Sequence, residues 1–192
     1  MNEYIKTALR IIWLIVLTYW VISGFTVKAA KSQESIFKRF IFYWLPLIIS
    51  ILLLGPGEWF GHTWLRENFV EHTNFVGIIG LAISFVGGIV ACWSRFLLGK
   101  NWSLAVQRKE DHELIQTGLY KIVRHPIYSG LLLLFSGNAI IVGDYRAIIA
   151  VAIVFFSFWY KLKKEERILT ETFGEKYSAY KNKTKALIPF IL

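Results

Sequence analysis

Long apolar runs separated by short polar segments dominate the pattern of this chain. A helix that crosses a bilayer needs about 20 mostly apolar residues. Three runs, at residues 11–27, 40–57 and 73–94, contain no Asp, Glu, Lys or Arg, and two shorter ones follow at 127–143 and 147–160. The pattern predicts an all-α, polytopic membrane protein with about five transmembrane helices.

The last two runs are separated by only three residues, 144–146, which predicts an antiparallel helical hairpin. Beyond the fifth run, apolar and aromatic residues recur at helical spacing, and we expect a separate amphipathic C-terminal helix along the membrane interface. These residues are Leu162, Leu169, Phe173, Tyr177 and Tyr180. The first run is longer than the apolar core of a usual secretory signal and lacks a clear small-x-small cleavage site, so we interpret it as a span.

The distribution of basic residues predicts the topology. Of the 22 Lys and Arg, 18 lie between spans 1 and 2, between spans 3 and 4, or after span 5. Positive residues favour the cytoplasmic side, which places the N-terminus outside and the C-terminus in the cytoplasm. Because the basic residues fall between apolar runs, the net charge of +9 indicates membrane topology and no nucleic-acid partner.

Composition narrows the chemistry. A hydrophobic content of 55% favours one membrane domain over residues 1–192, and the polar motifs concentrate at 95–189. The one cysteine, Cys92, excludes an internal disulfide. Four histidines and one cysteine do not form a zinc pattern, so no metal is expected.

Two polar positions border the apolar runs. His125 precedes Pro126 at the start of span 4, where free backbone N–H groups suit a polar or anionic ligand group. Alternatively, His125 caps the helix and Arg124 anchors to lipid headgroups. Glu165 and Glu166 follow span 5, and they are either solvated among lysines or hold a cationic ligand group near the bilayer surface.

Several short motifs occur in a fixed order in the C-terminal half. They are LGKNWS at 98–103, HELI at 112–115, GLY at 118–120, RHPIY at 124–128, EE at 165–166 and FGEKYSAY at 173–180. In these motifs the chain resembles the isoprenylcysteine carboxyl methyltransferase family and its prokaryotic relatives, within the wider group that includes phospholipid methyltransferases. The resemblance is strong over the C-terminal half and looser over the plan of five helices.

The resemblance implies transfer of a methyl group from S-adenosyl-L-methionine to a lipophilic or membrane-presented acceptor, such as an isoprenylcysteine-like carboxylate. It places the cofactor on the cytoplasmic side, and the acceptor is expected to enter between spans 3, 4 and 5. Lys161 stands where the eukaryotic enzymes have an arginine for the acceptor carboxylate, with Arg124 and Arg167 as further candidates. The positions that resemble the family's cofactor contacts are Gln107, His112, Glu113, Leu114, Ile115, Tyr120, His125, Pro126, Ile127, Tyr128 and Glu165.

Two alternatives stay open at this level. Sterol and steroid reductases have a similar C-terminal membrane domain with a related His-Pro-x-Tyr segment, and they use NADPH. A non-enzymatic lipid-binding membrane protein is the other. The sequence predicts no oligomeric state.

Overall fold

The structure, a computed structural model, describes residues 2–25, 35–99, 102 and 113–192. The described residues are organised around helices joined by loops with short 3₁₀ turns, which confirms the predicted all-α class. The longer helices are α1 (Glu3–Gly24), α2 (Ile36–Leu53), α3 (Asn74–Leu98), α4 (Pro126–Val142), α5 (Tyr145–Phe173) and α6 (Glu175–Lys183). The 3₁₀ turns are Gly57–Phe60, Trp64–Arg66 and Gly118–Lys121.

The helix lengths and composition fit a multi-pass membrane protein. Four helices, α1, α2, α3 and α5, are long and apolar enough to cross a bilayer. The fourth predicted span, α4, has 17 residues. At about 1.5 Å per residue it is slightly shorter than the ~30 Å hydrocarbon core. It packs against both α3 and α5, so much of its surface contacts protein.

The predicted start of a separate helix after span 5 is wrong. Helix α5 continues without interruption for 29 residues, from Tyr145 to Phe173, and therefore includes Leu162 and Leu169. Between its ends the sequence contains no proline or glycine that would interrupt the backbone hydrogen bonds. The helix ends at Gly174, whose φ of 53° is the left-handed conformation that glycine adopts readily. Only the residues after Gly174, including Tyr177 and Tyr180, form the separate helix α6.

The predicted hairpin is confirmed, and its turn is fixed at the end of the molecule away from α6. Asp144 accepts a hydrogen bond from Arg146 Nε at 2.9 Å. The Arg146 guanidinium also donates to the carbonyl oxygens of Leu53 and Gly55, at 2.5 and 2.6 Å. Since both side chains are buried, these contacts tie the turn between α4 and α5 to the end of α2.

Small residues bring α3 and α4 into backbone contact. A Cβ atom added to Gly137 would lie 2.3 Å from the carbonyl oxygen of Gly80 and 2.5 Å from the backbone nitrogen of Ser84. A Cβ atom on Gly87 would similarly lie 2.6 Å from the carbonyl oxygen of Gly130. Close approach at small residues is a common way for membrane helices to associate. The pair α3 and α4 therefore forms a tightly packed centre of the molecule.

This packing predicts that Gly137→Ala destabilises the protein by roughly 1–3 kcal/mol, because a methyl group would force the two backbones apart. Thermal unfolding in detergent is the measurement. Gly24→Ala is the matched control, since a Cβ atom there meets no atom within 4 Å. Equal unfolding temperatures for the two variants would contradict the close contact at Gly137.

Candidate functional site

A cavity of about 760 Å³ lies between α1, α2, α4 and α5. One end of the cavity is polar. It lies at the start of α4, beside the part of α5 that follows the apolar residues 147–160. The other end extends between the apolar faces of α1, α2 and α4. Its polar lining includes Glu113, Tyr120, Arg124, His125, Lys161 and Glu165.

Glu165 faces the cavity and contacts the first turn of α4. It accepts a hydrogen bond from the Tyr128 hydroxyl at 2.6 Å, and its other oxygen lies 3.6 Å from His125 Nδ1. The His125 ring stacks on Tyr128 at a centroid distance of 5.7 Å. His125 occupies the N-cap position of α4, but its side chain makes no capping hydrogen bond to the described first turn. The His125 side chain therefore does not cap α4 among the described residues, and Glu165 is held against the start of α4 and is not freely solvated.

Glu166, the neighbour of Glu165, forms a buried ion pair with Arg124. Arg124 Nε donates to its Oε1 at 2.7 Å, and the two side chains are only 9% and 4% exposed. Lys181 on α6 lies 3.5 Å from the other oxygen. Arg124 also donates to the backbone carbonyls of Lys181 and Thr184. This buried ion pair joins the start of α4 to α5 and α6, so Glu166 is not one of a solvated pair of acids.

Buried tyrosines lie where α6 meets the rest of the polar end, and two of them link α6 to α3 by hydrogen bonds. The Tyr180 hydroxyl donates to the Tyr120 carbonyl at 2.6 Å, and the Tyr120 hydroxyl donates to the Ser94 carbonyl at 3.3 Å. Burial raises the pKa of Tyr180 to about 12 and also raises the pKa of Tyr120 and Tyr177. All three phenols keep their protons at neutral pH. The buried Tyr177 hydroxyl has no hydrogen-bond partner within the described part of the chain, although Tyr177 lines the cavity.

The apolar end of the cavity uses helices that sequence reasoning did not assign to the site. Its walls come from α1 and α2 as well as from α4, whereas α3 contributes only its last residue, Leu98, to the described lining. Helix α1 packs on α3 and α2 packs on α5, and the cavity occupies the space between the two pairs. The apolar lining includes Trp13, Val16, Trp20, Leu47, Ile51, Leu131 and Phe135. The cavity therefore extends toward α1 and α2, whereas the sequence predicted an acceptor space between spans 3, 4 and 5.

The C-terminal segment 184–192 also supports the site, which the sequence did not predict. The backbone N–H groups of Arg124 and His125 donate to the carbonyls of Lys185 and Ala186, at 2.8 and 3.0 Å. The side chain of Ser129 donates to the Leu187 carbonyl at 2.6 Å. These bonds provide acceptors for the backbone N–H groups just before α4 and hold this segment against a buried cluster that includes Leu187. The apolar residues at 186–192 were the sequence signal that this segment packs against the helices.

The structure brings most of the predicted site residues together. Pro126 is buried at the first position of α4 and is not among the described residues of the lining. Arg167 is exposed on α5 and is also not among them. Gln107 and His112 lie outside the described residues. The predicted residues that line the cavity are Glu113, Leu114, Ile115, Tyr120, Arg124, His125, Ile127, Tyr128, Lys161 and Glu165.

Known proteins that are similar to this chain include membrane methyltransferases. A protein-S-isoprenylcysteine O-methyltransferase of Arabidopsis thaliana is 27% identical over 152 residues, which cover 78% of this chain and 74% of the relative. The enzyme of the same name from Schizosaccharomyces pombe is 26% identical over 168 residues, with 78% and 67% covered. A solved structure of a eukaryotic intramembrane Ras methyltransferase, isoprenylcysteine carboxyl methyltransferase, superposes with a TM-score of 0.56 at 25% identity, covering 78% of this chain and 52% of that one.

A family model extends the same relationship over the centre of the chain. The model described as phospholipid methyltransferase matches residues 75–176, which run from the start of α3 to the start of α6. This stretch includes His125, Tyr128, Lys161 and Glu165. The relatives confirm the resemblance to isoprenylcysteine carboxyl methyltransferases and the predicted class of membrane methyltransferase. The chain belongs to the phospholipid methyltransferase family.

Proposed function

We propose that this protein transfers a methyl group from S-adenosyl-L-methionine to the carboxylate of a lipophilic acceptor of the isoprenylcysteine type. The observation that supports this most directly is the placement of Lys161 and Glu165, which both line the cavity from α5. Residues four apart lie on the same helix face, with their Cβ atoms roughly 6 Å from each other. A cation for the acceptor and an acid for the cofactor thus stand one helical turn apart.

The polar end of the cavity fits the chemistry of S-adenosylmethionine. Glu165 offers a carboxylate to an ammonium group, and the N-terminal end of α4 directs its positive dipole end toward a site where a carboxylate binds well. The Tyr177 hydroxyl, which has no hydrogen-bond partner among the described residues, is a donor suited to a ribose hydroxyl or a ring nitrogen. Ile115, Ile127 and Tyr128 supply apolar and aromatic walls for a flat base. The residues that line the polar end of the cavity therefore fit S-adenosylmethionine.

The chemistry requires little acid–base assistance from the protein. When bound, S-adenosylmethionine supplies a methyl group on a positively charged sulfur. That methyl group would pass to an acceptor oxygen as its bond to sulfur breaks, and S-adenosylhomocysteine would leave. An isoprenylcysteine carboxylate is already ionised near neutral pH, so no general base is assigned. Glu165 and Lys161 orient the two reactants, and the apolar walls exclude water.

Among the three cationic candidates, Lys161 has the best position for the acceptor carboxylate. Arg124 is committed to Glu166 and to two backbone carbonyls. Arg167 is exposed on α5. Lys161 is half-buried and lies between the polar end and the apolar walls that would hold a prenyl chain. An ammonium group pairs with a carboxylate as a point charge and lacks the bidentate geometry of arginine.

The proposed orientation places the site in the cytoplasm, with the N-terminus outside. Its support is the charge distribution: the three connections that hold 18 of the 22 Lys and Arg include the segments that line the polar end. A soluble cofactor would reach that end from the cytoplasm, while the prenyl chain would occupy the membrane-embedded end.

An impermeant lysine reagent applied to intact cells would label tail residues such as Lys176 only after permeabilisation.

Binding in detergent tests the cofactor. We expect S-adenosylhomocysteine to bind the purified protein with micromolar affinity by isothermal titration calorimetry, and NADPH to produce no saturable heat. Incubation with methyl-labelled cofactor and farnesylated N-acetylcysteine is then expected to yield a base-labile methyl ester. Saturable NADPH binding without a response to S-adenosylhomocysteine would instead establish the reductase alternative.

A further inference from the structure

Lys161 lies between two tyrosine rings at the border of the cavity. Its Nζ atom is 5.3 Å from the centroid of the Tyr43 ring and 5.5 Å from the centroid of the Tyr128 ring. Both distances fall within the ~6 Å range of a cation–π contact. The two rings are largely buried, with exposed fractions of 6% for Tyr43 and 8% for Tyr128. The ammonium group is therefore held by rings from two different helices.

Tyr43 reaches this position from a local irregularity of α2. Residues Phe40–Trp44 form a π-helical turn within the otherwise α-helical Ile36–Leu53. Such turns change the angular position of the side chains that follow them, and they occur often at functional sites. Both Tyr43 and Trp44 line the cavity. The π-helical turn thus places an aromatic ring from α2 opposite the cation on α5.

Tyr128 connects the same cation to the proposed cofactor site. Its ring contacts Lys161, whereas its hydroxyl donates to Glu165 Oε1 at 2.6 Å. The ring is also stacked on Phe158, with a centroid distance of 5.0 Å. Packing on one side and the hydrogen bond on the other limit its movement. Tyr43, by contrast, belongs to α2.

We propose that Tyr43 is a positioning residue for acceptor specificity, which holds the Lys161 ammonium group against Tyr128 so that it meets the carboxylate of the acceptor. The inference rests on the proposed function, because it assumes an anionic acceptor group at Lys161. Aromatic faces attract the ammonium group but neutralise none of its charge. They restrict a flexible lysine side chain, whose ammonium group carries three N–H donors. The π-helical turn of α2 therefore selects acceptors that carry a carboxylate.

The test compares two acceptor analogues that differ only in charge. Farnesylated N-acetylcysteine carries a carboxylate, and its carboxamide has almost the same shape without the charge. Affinities are measured by competition in detergent with S-adenosylhomocysteine present. We expect Tyr43→Leu to weaken carboxylate binding about fivefold and to change carboxamide binding less than twofold. Tyr43→Phe keeps the ring and is expected to retain wild-type preference.

Two further variants make the result specific. Phe40→Leu alters an exposed residue of the same π-helical turn and is expected to leave the preference unchanged. In a Lys161→Met background, Tyr43→Leu is expected to have no further effect on the preference, since the cation is already gone. The proposal is overturned if Tyr43→Leu acts equally on both analogues, or acts equally with and without Lys161.

Failure of the inference is distinguishable from failure of the proposed function. If the wild type binds S-adenosylhomocysteine and methylates the carboxylate acceptor, but Tyr43→Leu behaves like Phe40→Leu, only the role of Tyr43 is wrong. If the wild type binds neither S-adenosylhomocysteine nor the acceptor, the proposed function fails and the role of Tyr43 with it. Binding of S-adenosylhomocysteine to Tyr43→Leu with wild-type affinity verifies that this variant is folded.

Discussion

Replacing Glu165 with alanine is expected to weaken binding of S-adenosylhomocysteine at least about 100-fold, which corresponds to about 2.7 kcal/mol. The substitution removes the carboxylate that lies between Tyr128 and His125 at the polar end of the cavity. An ammonium group taken from water into this partly buried site would lose its opposing charge. Isothermal titration calorimetry on the purified protein in detergent measures the change directly.

The controls separate loss of the ligand contact from loss of the fold. Glu175→Gln changes an exposed acid at the start of α6 and is expected to keep wild-type affinity. Tyr128→Phe keeps the aromatic ring and removes the hydroxyl that holds Glu165, so we expect an intermediate loss of about fivefold. An unchanged affinity in Glu165→Ala, with unfolding temperature also unchanged, would remove Glu165 from the cofactor site.

Most residues that line the polar end of the cavity could be predicted as neighbours from the sequence because they occur in compact local patterns. His125 and Tyr128 belong to one short motif at the start of α4, and Glu165 lies about one helical turn after the last apolar run. Helical spacing alone places Lys161 on the same face as Glu165. The resemblance to a known family then supplied roles that these residue types could not establish alone. Their contacts with each other depend on the packing of α4 against α5.

The apolar end was not predictable in the same way. Trp13 and Leu47 line the cavity, whereas Leu14 and Leu52 on the same helices are 65% and 49% exposed and are not among its described lining residues. In a membrane protein, residues facing lipid and residues facing an apolar cavity have the same composition, since lipid tails are as apolar as leucine. Hydrophobic periodicity therefore cannot distinguish the two faces. The helix pairing that creates the cavity depends on contacts between distant parts of the chain.

Glu166 shows the same limit for a charged residue. Nothing in its local sequence distinguishes it from Glu165, since both stand among lysines and arginines. Its partner Arg124 is 42 residues away in the chain. The 100° rotation between successive helical residues turns Glu165 toward the cavity and Glu166 toward Arg124. Two adjacent acids thus have different environments, one proposed to bind ligand and one that stabilises the fold.

Glu166→Leu is expected to destabilise the protein by roughly 3–5 kcal/mol, because it leaves the buried Arg124 guanidinium without its carboxylate partner. The backbone carbonyls of Lys181 and Thr184 would remain as acceptors, but they carry no net charge. The measurement is thermal or denaturant unfolding in detergent. Lys181→Met serves as a control with an expected loss under about 1 kcal/mol, since Lys181 is 48% exposed and 3.5 Å from Glu166.

The double variant Arg124→Met with Glu166→Leu separates the value of the pair from the cost of an unpaired charge. If the loss in Glu166→Leu arises from the uncompensated guanidinium, removing that guanidinium as well should restore much of the stability. The double variant is then more stable than Glu166→Leu alone. Losses that simply add would contradict a direct interaction between the two side chains.

Because Arg124 directly precedes His125, we expect Glu166→Leu also to weaken S-adenosylhomocysteine binding. The apolar double variant is expected to recover only part of that binding.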